Sequence, residues 1–167
     1  MPELNYRDAK REDLPGIVDI YNSTVASRMV TADLRPVSVA DREKWFADHD
    51  PRKRPLWVVE NASGEMVGWC SLQSFYGRQA YDATVEVSIY LAPEQRGKGF
   101  GKQVLQYCIN QAPRFGIKTL LGFIFQHNIP SLQLFYHFGF KDWGLLPDIA
   151  RLDDCERSLV IVGKRIG

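Results

Sequence analysis

Apolar residues recur along this chain with two periods, and the switches between them divide it into elements. Leu14, Ile17, Val18, Tyr21 and Val25 follow the helical period, so a helix is expected to open at Asp13 with Pro15 in its first turn, where a missing N–H costs nothing. A second helix is expected from Ser38, because Ser38-x-x-Asp41 is a capping-box variant and Trp45 and Phe46 give the helix a face to bury. Residues 28–37 between them have no strong period and read as a loop, of a length that sometimes closes over a site and more often only connects. Residues 56–60 and 65–72 are rich in strand formers and are separated by Asn61-Ala62-Ser63-Gly64, a hairpin signal. A longer strand covers residues 84–91. Phe100, Val104, Cys108 and Ala112 recur at every fourth position, one face of a helix over 99–112 that Pro113 stops. A strand at 118–125, a helix at 130–138 ended by Gly139 and a closing strand at 159–162 complete the reading. Early hairpins followed by alternating helices and strands predict an α/β fold of mixed α+β type, one mixed sheet flanked by helices.

Composition narrows this little. A length of 167 residues fits one domain over residues 1–167, with 45% hydrophobic and 25% charged residues as in ordinary soluble proteins. With 21 basic and 20 acidic residues the net charge is +1, so no broad field attracts nucleic acid and any anion site must be local. Arg52-Lys53-Arg54, the densest basic run, reads as a solvated loop. Cys70, Cys108 and Cys155 lack paired or CxxC spacing, and the first two fall in apolar patterns, so buried free thiols and a reducing, cytoplasmic setting are expected. The first residues carry no apolar export core and no run of about 18 apolar residues occurs, so neither export nor a membrane partner is expected. His49, His127 and His137 lack the spacing of a metal set, and no metal is expected.

The chemistry concentrates in residues 84–102, a strand that runs through a glycine-rich basic turn into a helix. Gly97, Gly99 and Gly101 leave successive backbone N–H groups uncovered, and the helix start adds the positive end of its dipole, a cradle for a pyrophosphate. The P-loop pattern fails, because Arg96 stands where its first glycine belongs and Lys102 is followed by Gln103. The dinucleotide pattern fails too, since the spacing is GxGxG. Within the strand, period two sends Val85, Val87, Ile89 and Leu91 to one face and Thr84, Glu86, Ser88 and Tyr90 to the other. Glu86 is the odd residue. In a central strand its carboxylate is desolvated, which raises its pKa toward the range of a useful base. The bland alternatives are an edge strand with Glu86 in solvent, or a pair with an arginine such as Arg157.

The run Arg96-x-x-Gly99-x-Gly101, after a strand ending at Pro93, resembles the acetyl-CoA loop of the GNAT superfamily of N-acetyltransferases. Residues 128–140, from Asn128 through Ser131 to Gly139-Phe140, are similar to the family's second cofactor segment, in the right order and about 30 residues on. The approach from Arg78 to Glu86, and Ile20-Tyr21-Asn22, are similar to the phosphinothricin and amino-acid N-acetyltransferase branch.

The resemblance implies a GNAT fold with a mostly antiparallel sheet, acetyl-CoA as co-substrate, and direct transfer to a small-molecule primary amine. Glu86 is then the base. Ile89, Tyr90 and Leu91 offer backbone groups to the pantetheine arm and an N–H to the oxyanion. Arg96, Gly97, Lys98, Gly99, Phe100, Gly101 and Lys102 carry the pyrophosphate, while Asn128, which also suits a helix cap, and Ser131 reach the cofactor. The family's thiolate-protonating Tyr stands seven residues after the Asn, which here is Phe135. That leaves Tyr136, water or no acid at all. Arg78 and Tyr81 are candidates for holding the acceptor. Relatives in this branch are often dimers, so a homodimer is possible. The rival readings are a non-catalytic acyl-CoA-binding module and acetylation of a protein N-terminus or lysine, a polyamine or an aminoglycoside.

Overall fold

In the structure, a computed structural model that describes residues 2–167, one sheet carries everything else. Its strands are β1 (Asn5–Asp8), β2 (Leu56–Glu60), β3 (Met66–Ser74), β4 (Thr84–Leu91), β5 (Thr119–Phe125), β6 (Lys141–Leu152) and β7 (Cys155–Arg165), in the spatial order β1-β2-β3-β4-β5-β7-β6. All neighbours are antiparallel except β4 and β5, so the expected mixed, mostly antiparallel sheet is what forms. The helices are α1 (Leu14–Asn22), α2 (Glu43–Ala47), α3 (Phe100–Gln111) and α4 (Ile129–His137). No helix of the described residues is long and apolar enough to cross a membrane.

The two faces of the sheet bury different helices. Phe100, Val104 and Cys108 of α3 and Leu132 and Phe135 of α4 pack with Val85, Val87, Leu120 and Val162. On the opposite face Ile17, Ile20 and Tyr21 of α1 pack with Leu56, Val58 and Trp69, and Trp45 and Phe46 of α2 add half-buried cover. The alternation expected for β4 holds. Val85 and Val87 are buried toward α3, and Tyr90 packs on the α1 side. Cys70 and Cys108 are buried and Cys155 is exposed, all three as free thiols.

Element boundaries differ from expectation where caps and exposure decide. A 3₁₀ turn at Arg11–Asp13 precedes α1, and Val25 is buried beyond its end. Ser38 and Asp41 do form reciprocal bonds, Ser38 N–H to Asp41 Oδ2 at 2.9 Å and Asp41 N–H to Ser38 Oγ at 3.1 Å. They introduce a 3₁₀ turn (Ala40–Arg42) before the short α2. The short β1 and the long β6 carry no signal that marks them in the sequence. β6 exposes most of its residues and its register against β7 slips twice, so apolar alternation never develops.

What positions the site is a break in pairing. β4 and β5 pair only at Thr84↔Thr119, Val85↔Leu120 and Glu86↔Leu121. Beyond that point β4 stays paired with β3 to Leu91, and β5 stays paired with β7 to Phe125. The two central strands therefore splay, and the backbone of residues 87–91 on that side has no strand partner.

Candidate active site

The splay opens a cleft of about 870 Å³ between the end of β4, the end of β5 and the start of α4. Met29, Val30, Thr31 and Ala32 from the loop after α1 and Ile149 and Ala150 from β6 close over it. Of the residues expected to hold the cofactor, Ile89, Tyr90, Leu91, Arg96, Gly97, Gly101, Asn128 and Ser131 line this cleft. Lys98, Gly99, Phe100 and Lys102 do not: Lys98, Gly99 and Lys102 are exposed and the Phe100 side chain is buried in the α3 core. What Phe100 presents at the helix start is its backbone.

Local chemistry shapes the loop. Gly97 and Gly99 take φ of +73° and +81°, the left-handed region that costs an L side chain about 1–2 kcal/mol. Gly99 is the residue that turns the chain into α3. Arg96 folds back on the loop: Nε and Nη2 donate to the Leu91 carbonyl at 3.2 and 3.1 Å, and Nη2 also donates to Ser23 Oγ at 3.0 Å. In this position it fastens the glycine turn to the end of β4 and to α1. Asn128 is buried and its Oδ1 accepts from the Ser131 N–H at 3.4 Å, so it caps α4 at the rim of the cleft.

Glu86 stands between Gln73 of β3 and Leu121 of β5, so its strand is central and the edge-strand alternative falls. Arg157 pairs through its backbone with Ala150 on the outer hairpin, and burial alone acts on Glu86. That burial pushes its carboxyl up to about 7 from the ordinary 4.5. A second cavity of about 200 Å³ lies on the α1 and α2 side, walled by Tyr21, Trp45, Trp69 and Tyr90 and carrying Arg42, Gln73, Glu86 and Ser88. Glu86, Ser88 and Tyr90 line both cavities. A carboxylate that titrates near neutrality thus stands where two ligand-sized spaces meet, the geometry a proton acceptor between two substrates needs.

Phe135 is buried against Phe140 at 4.8 Å, edge to face, with its ring over Gly122. Tyr136 points out of the cleft. Its hydroxyl donates to Asp142 Oδ1 at 2.5 Å, and that bond holds its pKa up at about 12. As placed, the Tyr136 side chain does not line the cleft. Arg78 and Tyr81 line neither cavity; Tyr81 is 42% exposed and packs on Phe75 and Tyr76. Among the lining residues that sequence reasoning did not assign to the site are Tyr21, Arg42, Trp45, Trp69 and Gln73. Two of these had a signal, since the antiparallel pairing of β3 with β4 sets Trp69 beside Tyr90 and Gln73 beside Glu86.

A strap crosses the cleft mouth. Arg28 Nε and Nη2 donate to Asp153 Oδ2 and Oδ1 at 2.8 and 3.2 Å, tying the loop after α1 to the β6–β7 turn. His127 Nε2 lies 2.8 Å from the Arg28 carbonyl. Arg28 and Asp153, which make this tie, are two of the three non-glycine residues with positive φ among those described; the third is Asp148.

The profile of the acetyltransferase (GNAT) domain family matches residues 3–141. The Bacillus subtilis (strain 168) protein "Putative phosphinothricin acetyltransferase YwnH" is 48% identical over 98% of this chain and 99% of its own length. An L-methionine sulfoximine/L-methionine sulfone acetyltransferase of Pseudomonas aeruginosa is 34% identical over 87% of this chain and 84% of its own. Among solved structures, a phosphinothricin acetyltransferase of Sinorhizobium meliloti in complex with AcCoA superposes with a TM-score of 0.91 at 28% identity, covering 98% of this chain and 89% of that one.

Proposed function

This chain belongs to the acetyltransferase (GNAT) family, and from that premise we propose that it moves the acetyl group of acetyl-CoA to the primary amine of a small amino acid or analogue such as phosphinothricin. The names of its relatives favour this acceptor class. The observation that carries the reading is the position of Glu86 on the wall shared by the two cavities.

In this reading the larger cleft takes acetyl-CoA. The N-terminus of α3 and the Gly97–Gly101 backbone receive its pyrophosphate, and the unpartnered edge of residues 87–91 receives the pantetheine arm in the manner of an added strand. The smaller cavity takes the acceptor. Glu86 removes a proton from the ammonium, directly or through water, and the freed lone pair forms the N–C bond at the thioester carbonyl. A backbone N–H between Ile89 and Leu91 steadies the oxyanion. The C–S bond then breaks and the electron pair leaves on the sulfur. With Phe135 apolar and Tyr136 engaged by Asp142, the thiolate takes its proton from water. Assembly as a homodimer belongs to the same reading, and the exposed Leu145, Leu146 and Ile149 of β6 offer it apolar surface.

The test is amine-dependent release of free CoA from acetyl-CoA, with mass spectrometry of the products from a mixed pool of amino acids and amines. N-acetylated amino acids or their phosphinate and sulfone analogues are the expected products. Tight acetyl-CoA binding without turnover of any amine would mark a binding module instead.

A further inference from the structure

Arg42 brings to the acceptor cavity a positive charge that proton transfer does not use. Its guanidinium sits 4.5 Å from the centre of the Tyr21 ring and 5.8 Å from that of Trp45, so two aromatic faces fix its plane. Nη2 donates to Asp33 Oδ2 at 3.1 Å, and the Tyr21 hydroxyl donates to that same oxygen. The remaining N–H groups of this five-donor fork bond to no protein atom among the described residues, and Arg42 lines the same small cavity as Glu86. The lining of one small space thus carries both a fixed cation and a proton acceptor, with Trp45, Trp69 and Tyr90 among its walls.

We propose that Arg42 anchors the carboxylate of the acceptor, so that the site selects amines bearing an acid group over plain amines. This rests on the acetyl-transfer reading for its amine but not for its anion. An α-amino acid presents the complementary pair, an ammonium for Glu86 and a carboxylate for Arg42. A planar guanidinium grips a carboxylate with two parallel hydrogen bonds, which a lysine cannot reproduce. A polyamine or an aminoglycoside lacks the acid and brings further positive charge toward Arg42. The cavity, at about 200 Å³, is also below the usual range for drug-sized ligands.

L-Methionine sulfone and its carboxamide separate this from the alternative that Arg42 only pins the loop through Asp33. The native chain is expected to favour the acid over the amide by about 100-fold or more in kcat/KM, because a site built for a polar group discriminates strongly against its absence. Arg42→Gln should raise KM for the acid about 10- to 100-fold, leave kcat within about threefold and leave the amide unaffected, with Arg42→Lys recovering only part of the loss. Calorimetry with the acid alone should show the same loss of affinity, and it reads the anchor without turnover. If that binding pattern appears while no amine is acetylated, acetyl transfer fails and the anchor stands. Equal use of acid and amide by the native chain, an equal loss on both in Arg42→Gln, or no binding of the acid overturns the proposal.

Discussion

The burial that lifts the Glu86 carboxyl from 4.5 to about 7 makes its ionised form a load on the folded state. The unfolded chain releases this proton near pH 4.5 and the folded chain near pH 7. Between those values the folded state holds more protons than the unfolded state, so stability is full below pH 4.5 and falls as pH rises through the window. At about 1.4 kcal/mol per pH unit, the interval from 4.5 to about 7 is worth on the order of 3 kcal/mol by pH 8. Glu86→Gln keeps the shape and removes the ionisation. Urea unfolding of the two proteins in parallel from pH 4 to 8 should show the variant gaining on the native chain by roughly 3 kcal/mol across the window, then levelling. Every other titrating group cancels in the difference. In kinetics the same group should give kcat/KM an acid limb with a pKa near 7, and the variant should lose about 10²- to 10⁴-fold in turnover while binding acetyl-CoA as before. A stability difference that stays flat with pH would refute the desolvation argument, and with it the reason for placing a neutral-pH base at this position.

Gly99→Ala must hold an L residue at φ +81° at the start of α3; that strain is present with or without acetyl-CoA, so urea unfolding should show a loss of about 1–2 kcal/mol, and an unchanged stability would show that the turn relaxes. Tyr136→Phe removes a hydroxyl that serves Asp142 outside the cleft, so kcat should stay within about twofold, and a larger drop at high pH would restore Tyr136 as the acid. Asp153→Asn weakens the tie to Arg28. That pair is exposed and screened by solvent, so it adds little to global stability; the melting temperature should hold while hydrogen exchange quickens in residues 29–37, and unchanged exchange there would show that the strap does not govern the loop.

How much of this was legible depended on how local each feature is. The glycine turn proposed to take the pyrophosphate can be read from a single segment, because glycine spacing, a strand end and a helix start are all sequence-neighbour properties, and the structure keeps Gly97 and Gly99 at positive φ. Glu86 was legible for a related reason: a carboxylate in the middle of a period-two strand, on the face of Thr84, Ser88 and Tyr90, is visible in eight residues. Its central position was not, since that required knowing that β5 pairs on the far side. β6 escaped because a strand that exposes most of its side chains and slips register twice imposes no alternation on its sequence.

The smaller cavity shows the limit most clearly. Arg78 and Tyr81 invited attention through their nearness to Glu86 in the chain, yet they precede Thr84, whereas the splay opens at the other end of β4, from residue 87 onward. At about 3.3 Å per residue, the strand carries the reacting region away from the turn that leads into it. The residues that share this cavity with Glu86 come from α1, the turn before α2, α2 itself, β3 and β4, and only pairing across the sheet and helix packing bring them together. Substitutions chosen by sequence distance would therefore probe the wrong rim. If acceptor choice resides in this cavity, exchanging Arg42, Trp45 or Gln73 should move acceptor preference while leaving the KM for acetyl-CoA in place, and exchanging Arg78 should move neither. A preference that followed Arg78 and ignored Arg42 would place the acceptor on the outer turn, where a second subunit would have to complete the site.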